Sequence, residues 1–569
     1  MPDRSPGATL ASTTLVPVEG PPRHAVPSWC SVLVGFLAAV PVLVATVRAM
    51  FGGRVWVPVG DNALIATRAY DVLSRHHPLL GTWTSASLPS GTELHNPGPL
   101  QFDLMALPVE LLGGRGVPLA VGAINVLAIV GVVWIAHRRG GPLLASAAAL
   151  VAAALSWVMG SQLLVEPWQP HNTLLPFLCY LMLVWGVTCG DLRALPWAAG
   201  VGSFVLQTHL SYGLLVPLLG LWAVVGLALT LRAERLQSCG SARPAGQLKR
   251  SMALAALVLV LSWSQPLVEQ VAGDGPGNLG ELATSFGGSG SATGPALGMR
   301  VVSSVIATPP WWSRSSFHTA WLPPSRDPAP ASAVLPSTGV AIASIALLLV
   351  ILVGGGVLAS RHGERDPSRA AAGGAVALIA ALLTAASVPI GLFGLAPHQF
   401  RWLWPISAFA SFAVLVLFGM LVRRRRGPAP VRALVVTCAS ATVVLAVFNL
   451  ATGPASPSNS AERSMEVARG LNPQLGVLEG EGPVLVQLPP VFNDPYGGAV
   501  MAELARRDIP FLVVPEWTPQ LGAGRRFTGD NARSVLMFRI GEATPPPGGR
   551  RIAQFEDVAL YLSDADARD

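Results

Sequence analysis

Eleven runs of apolar residues, each close to the length of a membrane span, constrain this 569-residue chain more than any other feature. A helix needs about 20 apolar residues to cross the hydrocarbon core, where its backbone must satisfy its own hydrogen bonds. The runs lie at about 29–50, 117–136, 142–160, 172–189, 193–209, 211–231, 252–271, 336–358, 370–392, 402–422 and 431–450. Only 12% of the residues are charged, about half the share found in soluble domains. The expected fold is an all-α polytopic membrane protein of about eleven transmembrane helices with outer juxtamembrane helices.

The arginines orient it. With the N-terminus inside, His137-Arg138-Arg139, Arg193, Arg232 to Arg250, Arg361 to Arg369 and Arg423 to Arg426 all face the cytoplasm, as the positive-inside rule requires. The apolar piece Leu100–Leu112 is short and holds Pro108; counting it as a span would put Arg138 and Arg139 outside, so it reads as a membrane-skimming segment. The net charge of +7 sits largely in these clusters, which excludes nucleic acid as a partner. The five cysteines lack zinc-site spacing and any disulfide framework.

Three regions follow. Residues 1–28 are polar and Pro-rich, a disordered cytoplasmic tail ahead of an uncleaved signal anchor. Residues 29–456 hold the spans, with outer loops 51–117 and 272–336. In the second loop Gly287–Gly294 reads as a flexible tip, and Trp311, Trp312 and Trp321 mark a return to the interface. From 457 to 569 the chain turns polar. Pro483–Leu488, Pro510–Val514, Ser534–Ile540, Arg551–Phe555 and Val558–Leu562 read as strands, with a helix near Gly498–Arg507. This is a small extracytoplasmic α/β domain, in which Asp494 reads as a turn former.

Polar residues gather at the outer ends of the spans. Asp61 follows the first; Glu93 and His95 close the first loop. Glu166 and His171 flank Pro167-Trp168-Gln169-Pro170, Gln207 and His209 precede Leu210, and His398 and Arg401 precede Trp402. Ionisable groups at membrane depth are costly and normally face a cavity. A carboxylate there can take a proton from an attacking hydroxyl, and a guanidinium can pair a phosphate through two hydrogen bonds. Asp61 suits the first role and equally the N-cap of a helix over Ala63–Leu73. Arg401 suits the second, and Arg68 reads either as a further phosphate partner or as a snorkelling surface residue.

In layout and order these segments resemble the bacterial GT-C polyprenyl-phosphate-sugar-dependent glycosyltransferases, which include protein O-mannosyltransferases, aminoarabinose transferases and mycobacterial arabinosyltransferases. Asp61 matches the acid after the first span, and His95-Asn96-Pro97-Gly98-Pro99-Leu100 loosely matches a His-Pro-Pro-Leu-like segment. Trp168–His171, Gln207–Ser211 and Arg401–Pro405 are similar to family segments in the same order. The resemblance covers about 30–450. It implies an inverting transferase at the outer face of the plasma membrane, moving a sugar from a polyprenyl-phosphate donor to an envelope glycan, lipid or protein. Asp61 would be the base and Glu166 a second catalytic acid. Arg401, His209, His171, His95, Glu93, Gln207 and His398 would hold substrate and phosphate. Protein mannosyltransferases carry Glu after the Asp, whereas this chain has Asn62, so a second acid would come from Glu166 or Glu93. A divalent metal, Mg or Mn, stays open. Two rival readings are a transporter or flippase of lipid-linked saccharides and a non-catalytic envelope assembly protein.

Overall fold

The computed structural model describes residues 29–52, 56–237, 245–272, 275–285, 292–307, 335–390, 395–427, 429–451, 459–488, 496–541 and 545–564. Among them, nine helical runs are long and apolar enough to cross a membrane, by length and composition. We number the helices longer than four residues α1 to α16. The first seven are α1 (Trp29–Phe51), α2 (Asp61–Asp71), α3 (Leu100–Leu112), α4 (Gly116–Leu163), α5 (Leu174–Thr188), α6 (Ala194–Thr208) and α7 (Leu215–Gln237). Then follow α8 (Ala245–Ala272), α9 (Gly277–Ser285), α10 (Gly294–Val302), α11 (Thr338–Arg361), α12 (Arg365–Ser387), α13 (Leu403–Arg426) and α14 (Ala429–Ala451).

Ten of the expected eleven segments reach spanning length among the described residues once α4 is divided. Its 48 residues break at Gly140 and Gly141, where Gly141 adopts φ 61°, ψ −151°, a conformation open to glycine alone, and Pro142 restarts the helix. At 15 residues α6 rises only about 22 Å, short of a full span but apolar. Segment α3 is a separate helix, ended by Gly113. It buries Phe102, Met105 and Val109 against α2 and leaves Leu104, Leu107 and Leu111 exposed, as a helix lying in the interface should.

Helix α5 is the axis of the bundle: all 15 of its residues are buried. The second half of α4 packs beside it through Ala145, Ala148, Ala149 and Ala152, all fully buried, small side chains that let backbones approach without a hydrophobic drive from lipid. The C-terminal end of α5 is held by arginine pairs, Arg138 bidentate to Asp191 at 2.7 and 2.9 Å and Arg139 to Asp366 at 2.6 Å. Its N-terminal end carries the candidate site.

Beyond the bundle, α15 (Asn459–Leu471) and α16 (Gly497–Arg506) pack on a five-stranded sheet of order β2-β1-β3-β5-β4. Its strands are β1 (Val484–Gln487), β2 (Phe511–Val513), β3 (Ser534–Ile540), β4 (Arg550–Phe555) and β5 (Val558–Asp564). β1 lies parallel to β2 and β3, and β5 runs antiparallel to β3 and β4. All five expected strands are present; α15, polar overall but burying Val467, Ala468 and Leu471 on one face, was not expected. Trp311, Trp312, Trp321, Asp494, the tail 1–28 and most of Gly287–Gly294 lie outside the described residues.

Candidate active site

Proline shapes the site. Pro167 and Pro170 cannot continue a helix with a full hydrogen-bond ladder, so the chain turns between α4 and α5, and Asn125 donates to the Leu164 carbonyl at 2.9 Å to hold the turn. The turn brings Glu166 and His171 face to face: His171 Nδ1 lies 2.7 Å from Glu166 Oε2, and Gln162 Nε2 donates to Oε1 at 2.6 Å. Both partners are buried. Burial alone would raise the Glu166 pKa. The His171 hydrogen bond and charge, the Gln162 amide and the charge of Arg401 outweigh it, so the carboxyl titrates below its usual value.

Asp61 approaches from another element. Gly60 holds the cap position of α2 at φ 54°, ψ −134°, and Asp61 is the first helical residue. This corrects the expectation that Asp61 is the N-cap. Its hydrogen-bond partner is instead the indole N–H of Trp168. Asp61 is exposed to solvent, with neighbouring protein crowding it. Desolvation there raises its pKa, and the Trp168 hydrogen bond opposes the shift without reversing it.

Trp168 joins the parts. Its ring meets His171 edge-on at 4.8 Å and His398 at 5.2 Å. His398 lies in the 3-10 turn Pro397–Phe400, fixed by Gln399, whose side chain accepts from Ala396 N and donates to Pro389 O, both at 3.1 Å. Arg401 follows, its guanidinium 5.6 Å from the Trp404 ring centre. It does not reach out to lipid headgroups: its Nε and Nη1 are buried without a hydrogen-bond partner, as are His171 Nε2 and Asn62 Oδ1. Unmade buried hydrogen bonds cost about 1–3 kcal/mol each, so the two unpartnered Arg401 donors ask for an anion. His209 neighbours His398; hemmed in by protein although partly open by area, its pKa is pushed by burial down to about 3, and the ring is neutral.

The structure thus gathers Asp61, Glu166, His171, His398 and Arg401, with His209 at the edge. It takes the others elsewhere. His95 Nε2 sits 2.8 Å from the Pro519 carbonyl of the C-terminal domain, and Glu93 is exposed 3.8 Å from it. Gln207 donates to Ser262 O at 2.6 Å and packs against Gly98. Arg68 neither snorkels nor faces the cluster; it binds Asp71 and the Leu521 carbonyl, each at 2.8 Å. Trp168 is the residue to which sequence reasoning gave no role, although it stands inside the quoted Trp168–His171 stretch. Among the described residues, no three His, Cys, Asp or Glu side chains come together to hold a cation.

Among solved structures, the chain is similar to ArnT from Cupriavidus metallidurans. Bound to undecaprenyl phosphate, that protein gives a TM-score of 0.48 at 13% identity over 96% of this chain and 100% of that chain; in the apo state it gives 0.47 over 95% and 99%. The Archaeoglobus fulgidus oligosaccharyltransferase with Zn and sulfate gives 0.39 at 11% identity, over 89% of this chain and 67% of that one. Both are GT-C proteins. No family model matches the chain, and no curated protein does. The chemistry below rests on the side chains.

Proposed function

We propose that the protein is an inverting membrane glycosyltransferase that moves a sugar from a polyprenyl-phosphate donor to a cell-envelope acceptor, with Asp61 as general base. The arginine-rich end of the bundle lies in the cytoplasm and the site and C-terminal domain lie outside. What carries the reading is one juxtaposition: an accessible carboxylate with a raised pKa, joined through Trp168 to a buried guanidinium whose donors lack partners. The first is what a base needs; the second is what a leaving phosphate needs.

In the proposed reaction the acceptor hydroxyl gives its proton to Asp61 as its oxygen bonds to the anomeric carbon. The bond from that carbon to the phosphate oxygen breaks on the opposite face, which inverts the centre, and the electron pair leaves with the prenyl phosphate. Arg401 Nε and Nη1 meet the departing charge. His171, its Nδ1–H given to the Glu166 carboxylate, lines the site with Nε2. Trp168 holds Asp61 by its N–H and walls off water. A flippase would place such groups near the bilayer midplane, whereas these gather at span ends.

The test uses purified protein with synthetic undecaprenyl-phosphate hexoses and pentoses and an envelope extract as acceptor, reading undecaprenyl phosphate release by mass spectrometry. Asp61→Asn is expected to lose turnover while keeping its fold and its affinity for undecaprenyl phosphate. Full turnover by that variant would overturn the assignment.

A further inference from the structure

Helix α2 carries Asp61 at one end and a buried ion pair at the other. Asp61, Leu64, Arg68 and Asp71 recur at three- and four-residue spacing and so share one stripe, and the C-terminal domain grips that stripe along its length. Leu64 belongs to the apolar core of the domain, beside Val500, Leu504 and Trp517. Arg68 donates to the Leu521 carbonyl at 2.8 Å. At the far end Arg525 clasps Asp71 with both nitrogens, at 2.5 and 2.6 Å, and its guanidinium lies 4.3 Å from the Phe511 ring centre. Asp71 is 1% and Arg525 5% exposed.

Helix α16 completes the hold near the other end. Gly498 packs so closely that a Cβ there would sit 3.3 Å from the Gly60 carbonyl and 3.4 Å from Ala63 Cβ. Ala502 shares the small core formed by Ala63, Ala66 and Met105. Ten helical steps put Asp71 about 15 Å from Asp61 along the axis, so a small tilt at the ion pair becomes a displacement of the carboxylate. A buried pair of this kind adds little net stability over an apolar packing; what it supplies is a fixed register.

We propose that Arg525 is a positioning residue for Asp61, acting through Asp71 and the helix between them, so that the C-terminal domain sets the geometry of the base. The proposal rests on the reading of Asp61 as base. Arg525 touches no reacting atom and acts only through placement.

Arg525→Lys keeps the cation and loses the two-pronged geometry. The variant is expected to purify and melt like the parent and to bind undecaprenyl phosphate equally well. Its turnover should fall by about 10²-fold, the usual result of a 1 Å misplacement, and the acid limb of its pH profile should move as the surroundings of Asp61 change. Gly498→Ala, which presses on Gly60 and Ala63 without removing a charge, should give the same split between turnover and affinity even if Arg525→Lys folds poorly. Parent turnover and pH profile in either folded variant would overturn the proposal, as would a loss of turnover matched by an equal loss of affinity. Asp61→Asn run alongside separates the two ideas. If it is inactive while Arg525→Lys works normally, the base stands and the positioning role falls; if it is active, both fall.

Discussion

Trp168→Phe isolates the environment of the proposed base. Phenylalanine keeps a ring against His171 and His398, at 4.8 and 5.2 Å in the parent, and removes only the N–H that Asp61 accepts. Burial raises the Asp61 pKa from 3.8 and the indole hydrogen bond lowers it, so losing the donor must raise it further. A hydrogen bond to a charged group contributes about 1.5–3 kcal/mol, and about 1.4 kcal/mol corresponds to one pH unit. Because the carboxylate is open to solvent on one side, screening keeps the loss at the low end of that range. The base acts only when ionised, so the acid limb of turnover should move up while the plateau at higher pH falls less. The assay is undecaprenyl phosphate release across the acid and neutral range, at saturating donor. An acid limb that stays put or moves down refutes the reasoning.

The same sign governs folding: a carboxyl whose pKa is raised in the folded state favours folding below its unfolded pKa and opposes it as pH rises through the folded one. Asp61→Asn should therefore raise the melting temperature at neutral pH while abolishing turnover, a trade expected of a residue kept for function. Arg401→Lys replaces a fork with a point charge and should weaken undecaprenyl phosphate binding about tenfold, read by titration of the purified protein. Gly60→Ala forces a side chain to φ 54°, ψ −134° and should cost about 1–3 kcal/mol, visible in the melting midpoint. His95→Ala should lower stability by about 1 kcal/mol through its lost bond to Pro519 yet leave undecaprenyl phosphate affinity unchanged; a weakened affinity would return His95 to the site.

The spans were legible because hydrocarbon imposes one rule on every residue inside it. Even the division at Gly141 and the separate standing of α3 could be read, the first from Gly140-Gly141-Pro142 and the second from the shortness of Leu100–Leu112. Polar residues between spans obey no such rule. His171 and His95 look alike in the sequence, each beside a proline or near one, and each in a loop at the same depth. One meets Glu166 and the other meets Pro519, a carbonyl 424 residues away. Arg68 was equally ambiguous, since its partners Asp71 and Leu521 join two regions that composition treats as independent. Asp61 was given the wrong local role, because Gly60 can adopt the cap conformation and an Asp one step later cannot be told from a cap by residue type.

Local chemistry explains part of how the gathered residues come to form a cluster. Glu166, His171, His398 and Arg401 all lie within one turn of a proline at a span end: Pro167, Pro170 and Pro397. Proline withholds an N–H and bars the preceding residue from helix, so each span stops short and the chain turns inward instead of continuing to the surface. Asn125, donating to Leu164, takes up a carbonyl at the end of the shortened helix, and Thr173 Oγ1 adds a second bond to the Gln169 carbonyl at 2.7 Å. Gln207 stands on the opposite case. It ends α6 with no proline beside it, the helix runs on to Thr208, and its side chain is spent on Ser262 of the neighbouring span. Asp61 too follows a proline, Pro58, three residues ahead, but its aim depends further on Gly60 behind it and on the C-terminal domain clasping the rest of its helix.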